Sequence, residues 1–287
     1  MLIDLQLHST YSDGYLTPTE LVKFIAKYNV KIAALTDHNT VGGLEEFRNA
    51  CKKYKIKPIT GLELYVKING IKINLLWFNF DENSPDLHKM LRNSQIRRRG
   101  KIRKILKKLS DIGFKINANK TLDKYTHYTP LNHVVDDIYR VPYNKIKIKK
   151  ELASKNPRES EIIGEYFCNK EIGKISESYI NIERILKLRE VIGGQLILNH
   201  PGKNNRLQKN LLDKLKKIGV DGLEVLSPHH SMGSVMYAQY MAREFDFVET
   251  GGSDFHRHEG DGFPIQNSWQ YFKIEEKYLR GIKKIIG

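Results

Sequence analysis

Cysteine is scarce: only Cys51 and Cys168 occur in 287 residues, far apart and in no metal or redox spacing. That excludes a disulfide framework and a thiolate-held structural zinc, and it fits a reducing, cytoplasmic setting. No apolar run approaches the ~20 residues needed to span a bilayer. A strand pattern begins almost at once, so neither a membrane segment nor a signal peptide is expected. Internal repeats and low-complexity linkers are missing too. One local absence says more: residues 87–110 hold ten Lys and Arg and no acid.

What is present is the composition of a globular protein. Apolar residues make up 40% and aromatics 10%, which excludes a disordered chain. The length allows one barrel-sized domain or two smaller ones. A formal charge of +15 points to an anionic partner such as nucleic acid, a nucleotide or a membrane surface.

The chain opens with Ile3-Asp4-Leu5-Gln6-Leu7-His8-Ser9-Thr10-Tyr11-Ser12-Asp13-Gly14. Alternation predicts a strand with Ile3, Leu5 and Leu7 on a buried face and Asp4, Gln6 and His8 on the other. The turn residues that follow leave Asp13 on a loop. A carboxylate, a carboxamide and an imidazole on one face are costly to bury unless something binds them. The competing reading is a solvated edge strand. Next, Thr17, Pro18 and Glu20 mark a capped helix start, with Leu21, Phe24, Ile25 and Tyr28 at helical spacing. Val30 to Leu35 reads as a buried strand ending in Thr36-Asp37-His38-Asn39. A helix carrying Leu44, Phe47, Cys51 and Tyr54 follows, then a strand from Lys57 into Gly61-Leu62-Glu63. This order predicts parallel strands covered by helices, as a barrel or a doubly wound sheet, with chemistry at the C-terminal strand ends. Asn69-Gly70 predicts a tight hairpin pairing Ile68 with Ile71, Tyr65 with Asn74 and Glu63 with Leu76. Glu63 and Asn74 then lie diagonally on one face, within reach of a common ion.

Strand–helix alternation stops over residues 81–191. A long helix is expected over residues 87–110, with Leu87, Leu91, Ile102, Ile105 and Leu109 buried and Gly100 a weak point. Its basic residues are densest at Arg97, Arg98, Arg99, Lys101, Arg103 and Lys104. They read as a phosphate-facing surface, with Arg98 and Arg99 as substrate-binding residues; the alternative is an ordinary solvated helix face. Tyr125, Tyr128, Tyr139 and Tyr143 read mostly as packing groups, with base stacking as the alternative. Alternation then resumes, and strand ends deliver Asn199-His200-Pro201, Ser227-Pro228-His229-His230 and Gly252-Ser253-Asp254-Phe255-His256. The expected division is a barrel of residues 1–80 and 192–287, interrupted by a basic helical insertion of residues 81–191.

Imidazoles and carboxylates without cysteine favour a catalytic Zn, Mn or Fe site. Any one histidine here reads as a core or surface residue; the set from separate strand ends reads as a site. His8, Asp13, His38, Glu63, His200, Asp254 and His256 exceed what one ion needs. At least two ions are expected, with Glu63 bridging, an arrangement suited to phosphoester displacement.

Together these motifs, from Asp4 through Gly14, Leu35 to Thr40, Gly61-Leu62-Glu63, Asn199-His200-Pro201 and Gly252 through His256, resemble the polymerase and histidinol phosphatase (PHP) family of metal-dependent phosphoesterases over nearly the whole chain. The resemblance implies an α/β fold, a distorted (β/α)7 barrel with an inserted, mainly helical subdomain. Residues 98–112, Leu131-Asn132-His133 and Gly222-Leu223-Glu224-Val225 resemble the branch that removes phosphate from nucleoside bisphosphates or trims oligonucleotides from the 5′ end.

By that resemblance two to three divalent ions (Mn, Zn or Fe) are expected. His8, Glu63 and Asp254, with the position of Gln6, would hold the first. Glu63 and His200, with the position of Asn74, would hold the second; Asp13, His38 and His256 the third. His133 and His230 would lie near the phosphate, with His230 and Asp254 catalytic and His230 protonating the leaving group. Three departures stand out: Gln6 and Asn74 where the family has His, and Leu131 where it has Arg. Neutral amides are weaker ligands than imidazole, so the first two positions are expected to be loosened.

The function expected is therefore a cytoplasmic hydrolase, a phosphatase or 5′-3′ exonuclease-like phosphoesterase. It would hydrolyse phosphate monoesters or diesters of nucleotides or short single-stranded oligonucleotides through metal-activated hydroxide. Two rivals remain: a degenerate barrel that binds nucleic acid without cleaving it, and a histidinol-phosphatase-like enzyme for small phosphates.

Overall fold

A computed structural model describes residues 1–203, 205–257 and 273–287. They form two compact units, Met1–Lys89 with Tyr179–Gly287, and Met90–Ser178. The strands are β1 (Leu2–Leu7), β2 (Val30–Leu35), β3 (Lys57–Ile68), β4 (Ile71–Phe78), β5 (Ile180–Asn181), β6 (Gln195–Leu198), β7 (Gly222–Leu226), β8 (Val248–Gly251) and β9 (Ile274–Glu275). The longer helices are α1 (Pro18–Ala26), α2 (Leu44–Tyr54), α3 (Pro85–Asp111), α4 (Ala118–Leu122), α5 (Leu131–Tyr139), α6 (Pro142–Glu151), α7 (Glu159–Phe167), α8 (Ile182–Ile192), α9 (Lys209–Lys217) and α10 (Met232–Glu244). None of the described helices is long and apolar enough to cross a membrane.

All the strands lie in the first unit, in the order β8-β7-β6-β4-β3-β2-β1-β9, with β5 attached to β3. β1, β2 and β3 run parallel, as do β6, β7 and β8. Between them β4 is antiparallel to both neighbours, and this reversed strand distorts the barrel. The two ends of the path nearly close. Leu7 bridges Phe255, and the His8 N–H donates to the Phe255 carbonyl at 3.0 Å. Asp4 fastens the same seam, accepting from the Ser253 N–H at 2.9 Å. A Cβ at Gly252 would overlap Gln6, so the seam closes only over a glycine. The product is a mixed α/β barrel with helices around it.

Local sequence signals explain much of this. The Thr17 hydroxyl accepts from the Glu20 N–H, the Glu20 carboxylate accepts from the Thr17 N–H at 2.9 Å, and Pro18 opens α1. The hairpin adopts the register expected from Asn69-Gly70, with Ile68 opposite Ile71, Tyr65 opposite Asn74 and Glu63 opposite Leu76. Asn69 (φ 45°) and Gly70 (φ 84°) both occupy the left-handed region that a two-residue turn matched to strand twist requires.

β1 departs from simple alternation. Ile3 and Leu5 join a core with Ile32, Ile59, Phe78 and Ile197. Leu7 instead joins Leu21, Ile25, Leu35, Leu44 and Phe47 beneath α1 and α2. The cause is an irregularity in the β1–β2 pairing between Asp4 and Leu7, which changes the face that Leu7 presents. Gln6 and His8 are both 0% exposed, which rules out the solvated-edge reading; a parallel barrel strand is covered on both sides. Burial pushes the Cys51 thiol up to about 12, making it a core group instead of a nucleophile.

The helical unit has its own core, built from Ile102, Leu106, Val134, Ile138, Ile148 and Phe167. It is shorter than the expected insertion of residues 81–191, since both flanks belong to the barrel. The Asp81 N–H donates to the Ile192 carbonyl at 2.9 Å, and Ile180 and Asn181 pair with Val66 and Lys67 of β3. α3 runs unbroken through Gly100, which corrects the expected weak point. One glycine costs about 1 kcal/mol in a helix, less than the burial of Ile102, Ile105, Leu106 and Leu109 beyond it gains.

Candidate metal centre

Strand ends and neighbouring loops in the barrel unit supply every side chain of the centre. His8 and Asp13 follow β1, His38 follows β2, and Glu63 and Asn74 sit on the β3–β4 ribbon. His200 follows β6, His229 follows β7, and Asp254 and His256 follow β8. Two buried acids support this arrangement without joining the cluster, and sequence reasoning assigned neither a role. Asp37 accepts from the Ser9 N–H at 2.7 Å and the Ser9 hydroxyl at 2.6 Å, pinning the loop that carries Asp13. Glu224 accepts from the His200 N–H at 3.0 Å. It holds a backbone position with φ 26°, and Asp254 (φ 51°) and Asn39 (φ 49°) are also left-handed. Non-glycine residues held in that region cluster at functional sites.

His8 lies at the middle. Its Nε2 is 3.2 Å from Glu63 Oε2 and 3.1 Å from Asp254 Oδ1, while its Nδ1 is 3.7 Å from Asp13 Oδ1. Around Asp13, His256 Nε2 lies at 3.4 Å and His38 Nε2 at 3.5 Å. His200 Nε2 is 3.4 Å from Glu63 Oε1. Donors bound to one ion at about 2.1 Å stand about 3.0–3.4 Å apart, so most of these separations fit shared coordination. Two groups have ligand atoms all within 4.8 Å of one another: His8, Asp13, His38 and His256, and His8, Glu63 and Asp254. Among the described residues neither ring nitrogen of His8 makes a geometrically sound hydrogen bond, although the ring is fully buried. A buried imidazole ringed by carboxylates at ligand spacing fits divalent cations.

The amides behave differently. Gln6 Nε2 donates to Asp254 Oδ1 at 2.8 Å and to Glu63 Oε2 at 3.3 Å. Gln6 Oε1 is buried without a hydrogen-bond partner among the described residues. Asn74 Nδ2 donates to Glu63 Oε1 at 2.6 Å. Each amide therefore presents its N–H to the carboxylates. An oxygen reaches an ion there only after the amide turns over.

Electrostatics separate the groups. Burial opposes charge on every one, yet His38 and His256 hold Asp13 far below the usual carboxylate range. His38, His200 and His8 do the same for Glu63, and His256, His229 and His8 for Asp254. Burial works against a charged His8, but Asp254 and Glu63 outweigh it and raise its pKa well above the ordinary value. His38 is lowered, chiefly by burial. Glu224 is raised well above the ordinary range by burial and by Asp254. Three ionised carboxylates around one buried imidazole give the field a cation would neutralise.

The remaining candidates lie each within its own unit. His230 turns into the protein: its Nδ1 lies 2.8 Å from the Val225 carbonyl and its Nε2 accepts from the Gly202 N–H at 3.0 Å. Gly202 leaves room for that ring, since a Cβ there would strike it. The adjacent His229 reaches the centre instead, with Nε2 2.6 Å from Asp254 Oδ2 and its ring edge-on to His200 at 5.5 Å. Tyr65 stacks on His38 at 4.7 Å, its hydroxyl 3.3 Å from His38 Nε2. Its placement two residues after Glu63, opposite Asn74, was the available signal. In the helical unit, His133 sits in α5 with its ring 6.4 Å from Tyr125. Arg98 is buried, pairing with Glu177, donating to the Thr129 carbonyl at 2.7 Å and lying over the Tyr128 ring at 4.3 Å. Arg99 pairs with Asp123 at 2.6 Å and donates to the Leu122 and Tyr125 carbonyls. Both guanidiniums are thus engaged within that unit's own structure.

A β/α barrel whose strand ends converge imidazoles and carboxylates on one buried cluster defines a metallohydrolase-type scaffold. The PHP domain model matches residues 4–168, more than half of the chain, and the chain belongs to that family. It is 28% identical to a 5′-3′ exoribonuclease of Haemophilus influenzae over 88% of this chain and 89% of that protein. It is 26% identical to a 3′,5′-nucleoside bisphosphate phosphatase of Chromobacterium violaceum over 88% of this chain and 87% of that one. A crystal structure from Bifidobacterium adolescentis, described as a metal-dependent phosphoesterase, superposes with a TM-score of 0.77 at 21% identity. It covers 99% of this chain and 95% of its own, and it bears out the fold.

Proposed function

We propose that this protein is a divalent-metal-dependent phosphoesterase acting on phosphate esters of nucleotides or short oligonucleotides. The observation that carries the reading is His8, whose ring faces Glu63 and Asp254 on one side and Asp13 on the other at ligand spacing. Asp13, His38, His256 and His8 form one candidate position, built of imidazoles and a carboxylate alone. His8, Glu63 and Asp254, with Gln6, would form a second, and Glu63, His200 and Asn74 a third. Divalent cations bound there supply positive charge for the phosphoryl oxygens and activate water for attack at phosphorus.

The chain's own residues prepare that chemistry. His229 bonds Asp254 Oδ2 and fixes the carboxylate's rotation, leaving Oδ1 toward His8. Tyr65 stacks on the His38 ring and fixes its plane. Exposed at the rim, His229 is better placed than His230 to meet a leaving group. The relatives' named activities on RNA and on nucleoside bisphosphates, together with the +15 charge, support a nucleotide or single-stranded RNA as substrate.

A second reading is favoured by one observation, the N–H donation of Gln6 and Asn74 to Glu63 and Asp254. Closure of these positions without metal would leave a nucleic-acid-binding barrel with no hydrolytic power. Elemental analysis of purified protein separates the two. One or more tightly held ions per chain supports the enzyme, and none after incubation with Mn, Fe or Zn supports the binder.

A further inference from the structure

The positive charge is unevenly placed. Residues 90–178, the helical unit, hold 21 Lys and Arg against 10 Asp and Glu, so 11 of the chain's +15 lie there. Arg98 and Arg99 are engaged inside that unit, and the excess lies with other residues. One concentration is the second half of α6. Lys145-Ile146-Lys147-Ile148-Lys149-Lys150 alternates like a strand but is helical, and residues two apart on a helix point to nearly opposite sides. Ile148 is fully buried in the unit's core, which leaves Ile146 turned outward, 70% exposed.

Two more apolar side chains come from adjoining segments. Tyr143, one turn earlier on α6, is 53% exposed, and Ile112, just past the end of α3, is 48% exposed. The Lys115 N–H donates to the Asn144 side-chain oxygen at 2.8 Å, and Asn144 Nδ2 donates back to the Lys115 carbonyl at 3.1 Å. These bonds hold the chain after α3 against the start of α6. Lys115 Nζ lies 5.4 Å from the Tyr143 ring, and Lys145 Nζ lies 5.4 Å from the Tyr139 ring. Lys108, one turn before Ile112, and Lys150, one turn after Ile146, are exposed as well. Large apolar side chains left in water among lysines, on a unit with its own core, mark an interaction surface.

We propose that this face is a peripheral docking surface for an anionic lipid bilayer. The lysines meet the head-group phosphates, Tyr143 sits at the interface, and Ile146 and Ile112 enter the acyl boundary. A nucleic acid fits less well. It would take the lysines but leave the isoleucines in water, since branched aliphatics neither stack on bases nor bond phosphate. The contact is at the surface only, because none of the described helices is long and apolar enough to cross a membrane.

Co-sedimentation of the full chain with sucrose-loaded vesicles tests this, with equal parts phosphatidylcholine and phosphatidylglycerol against phosphatidylcholine alone. Wild-type protein should bind the anionic vesicles at least about ten-fold more tightly, since each lysine near such a surface carries a factor of about five. The double variant Ile112→Gln with Ile146→Gln changes only exposed positions and no charge. It should weaken binding to the anionic vesicles by about ten-fold or more. Lys145→Gln with Lys150→Gln should weaken it by about 10–30-fold. No preference for the anionic vesicles overturns the proposal, and so does an isoleucine variant that binds them like wild type. If the isoleucine variant instead loses affinity for a single-stranded oligoribonucleotide and keeps it for vesicles, the face belongs to nucleic acid and the proposal fails. The test stands apart from the hydrolytic reading, since none of these residues belongs to the metal centre.

Discussion

Replacing Gln6 by His probes the departure that most alters the metal centre. In the structure the amide donates to Asp254 Oδ1 at 2.8 Å and Glu63 Oε2 at 3.3 Å, and its oxygen is buried and unpartnered. For Oε1 to face an ion, the amide must turn and give up both donations. A hydrogen bond to a charged partner is worth about 1.5–3 kcal/mol, so the turn costs at least about 1.5 kcal/mol, a factor of about ten in affinity. An imidazole carries no such cost and is the stronger ligand. Gln6→His should therefore tighten Mn or Zn binding at the His8–Glu63–Asp254 position by about 10–100-fold. The assay is calorimetric titration of chelator-stripped protein, with ions per chain counted by elemental analysis after gel filtration. A dissociation constant within about threefold of wild type, with no gain in bound ion, would refute the reasoning.

Four further outcomes are expected. His230→Ala loses two backbone hydrogen bonds and should lower stability by about 2–3 kcal/mol in a thermal melt. His229→Ala should leave the melt nearly unchanged but reduce metal affinity or turnover about 10–100-fold through Asp254; the opposite pattern would reverse the assignment of the two histidines. Arg98→Ala removes the buried partner of a part-buried pair and should destabilise the helical unit by about 1.5–3 kcal/mol in denaturant, whereas a purely substrate-binding Arg98 would leave stability intact. Burial, only partly offset by Arg280, raises the pKa of Glu249 above its ordinary 4.5. The raised value favours the protonated acid in the folded state. The stability this gives is full below 4.5 and is lost as pH rises through the folded pKa. Glu249→Gln should match wild type in acid and exceed it at neutral pH; a difference flat across pH would count against it.

The sequence was most legible where short-range physics decides. The capping box at Thr17 and Glu20, the Asn69-Gly70 hairpin and its register are local, and each could be read from a few residues. Strand-end placement of the imidazoles and carboxylates was legible too, because strand and turn signals alternate so regularly. What was hidden depends on single-residue geometry. Alternation could not show that β1 is irregular between Asp4 and Leu7. His229 and His230 are adjacent, and nothing in their spacing told which ring meets Asp254 and which meets Val225. The charge run of α3 looked like a surface, yet Arg98 pairs inward because Glu177, far away in sequence, lies opposite it.

The central claim is metal-dependent phosphate-ester hydrolysis at the cluster around His8. The most direct test incubates chelator-stripped protein, reloaded with Mn, Fe or Zn, with adenosine 3′,5′-bisphosphate and a 5′-phosphorylated oligoribonucleotide, with Asp13→Asn and Asp254→Asn beside it. Phosphate or mononucleotide should be released only with metal, with a loss of at least about a hundredfold in both variants. No release with any of the three metals, or release that survives both substitutions, would contradict it.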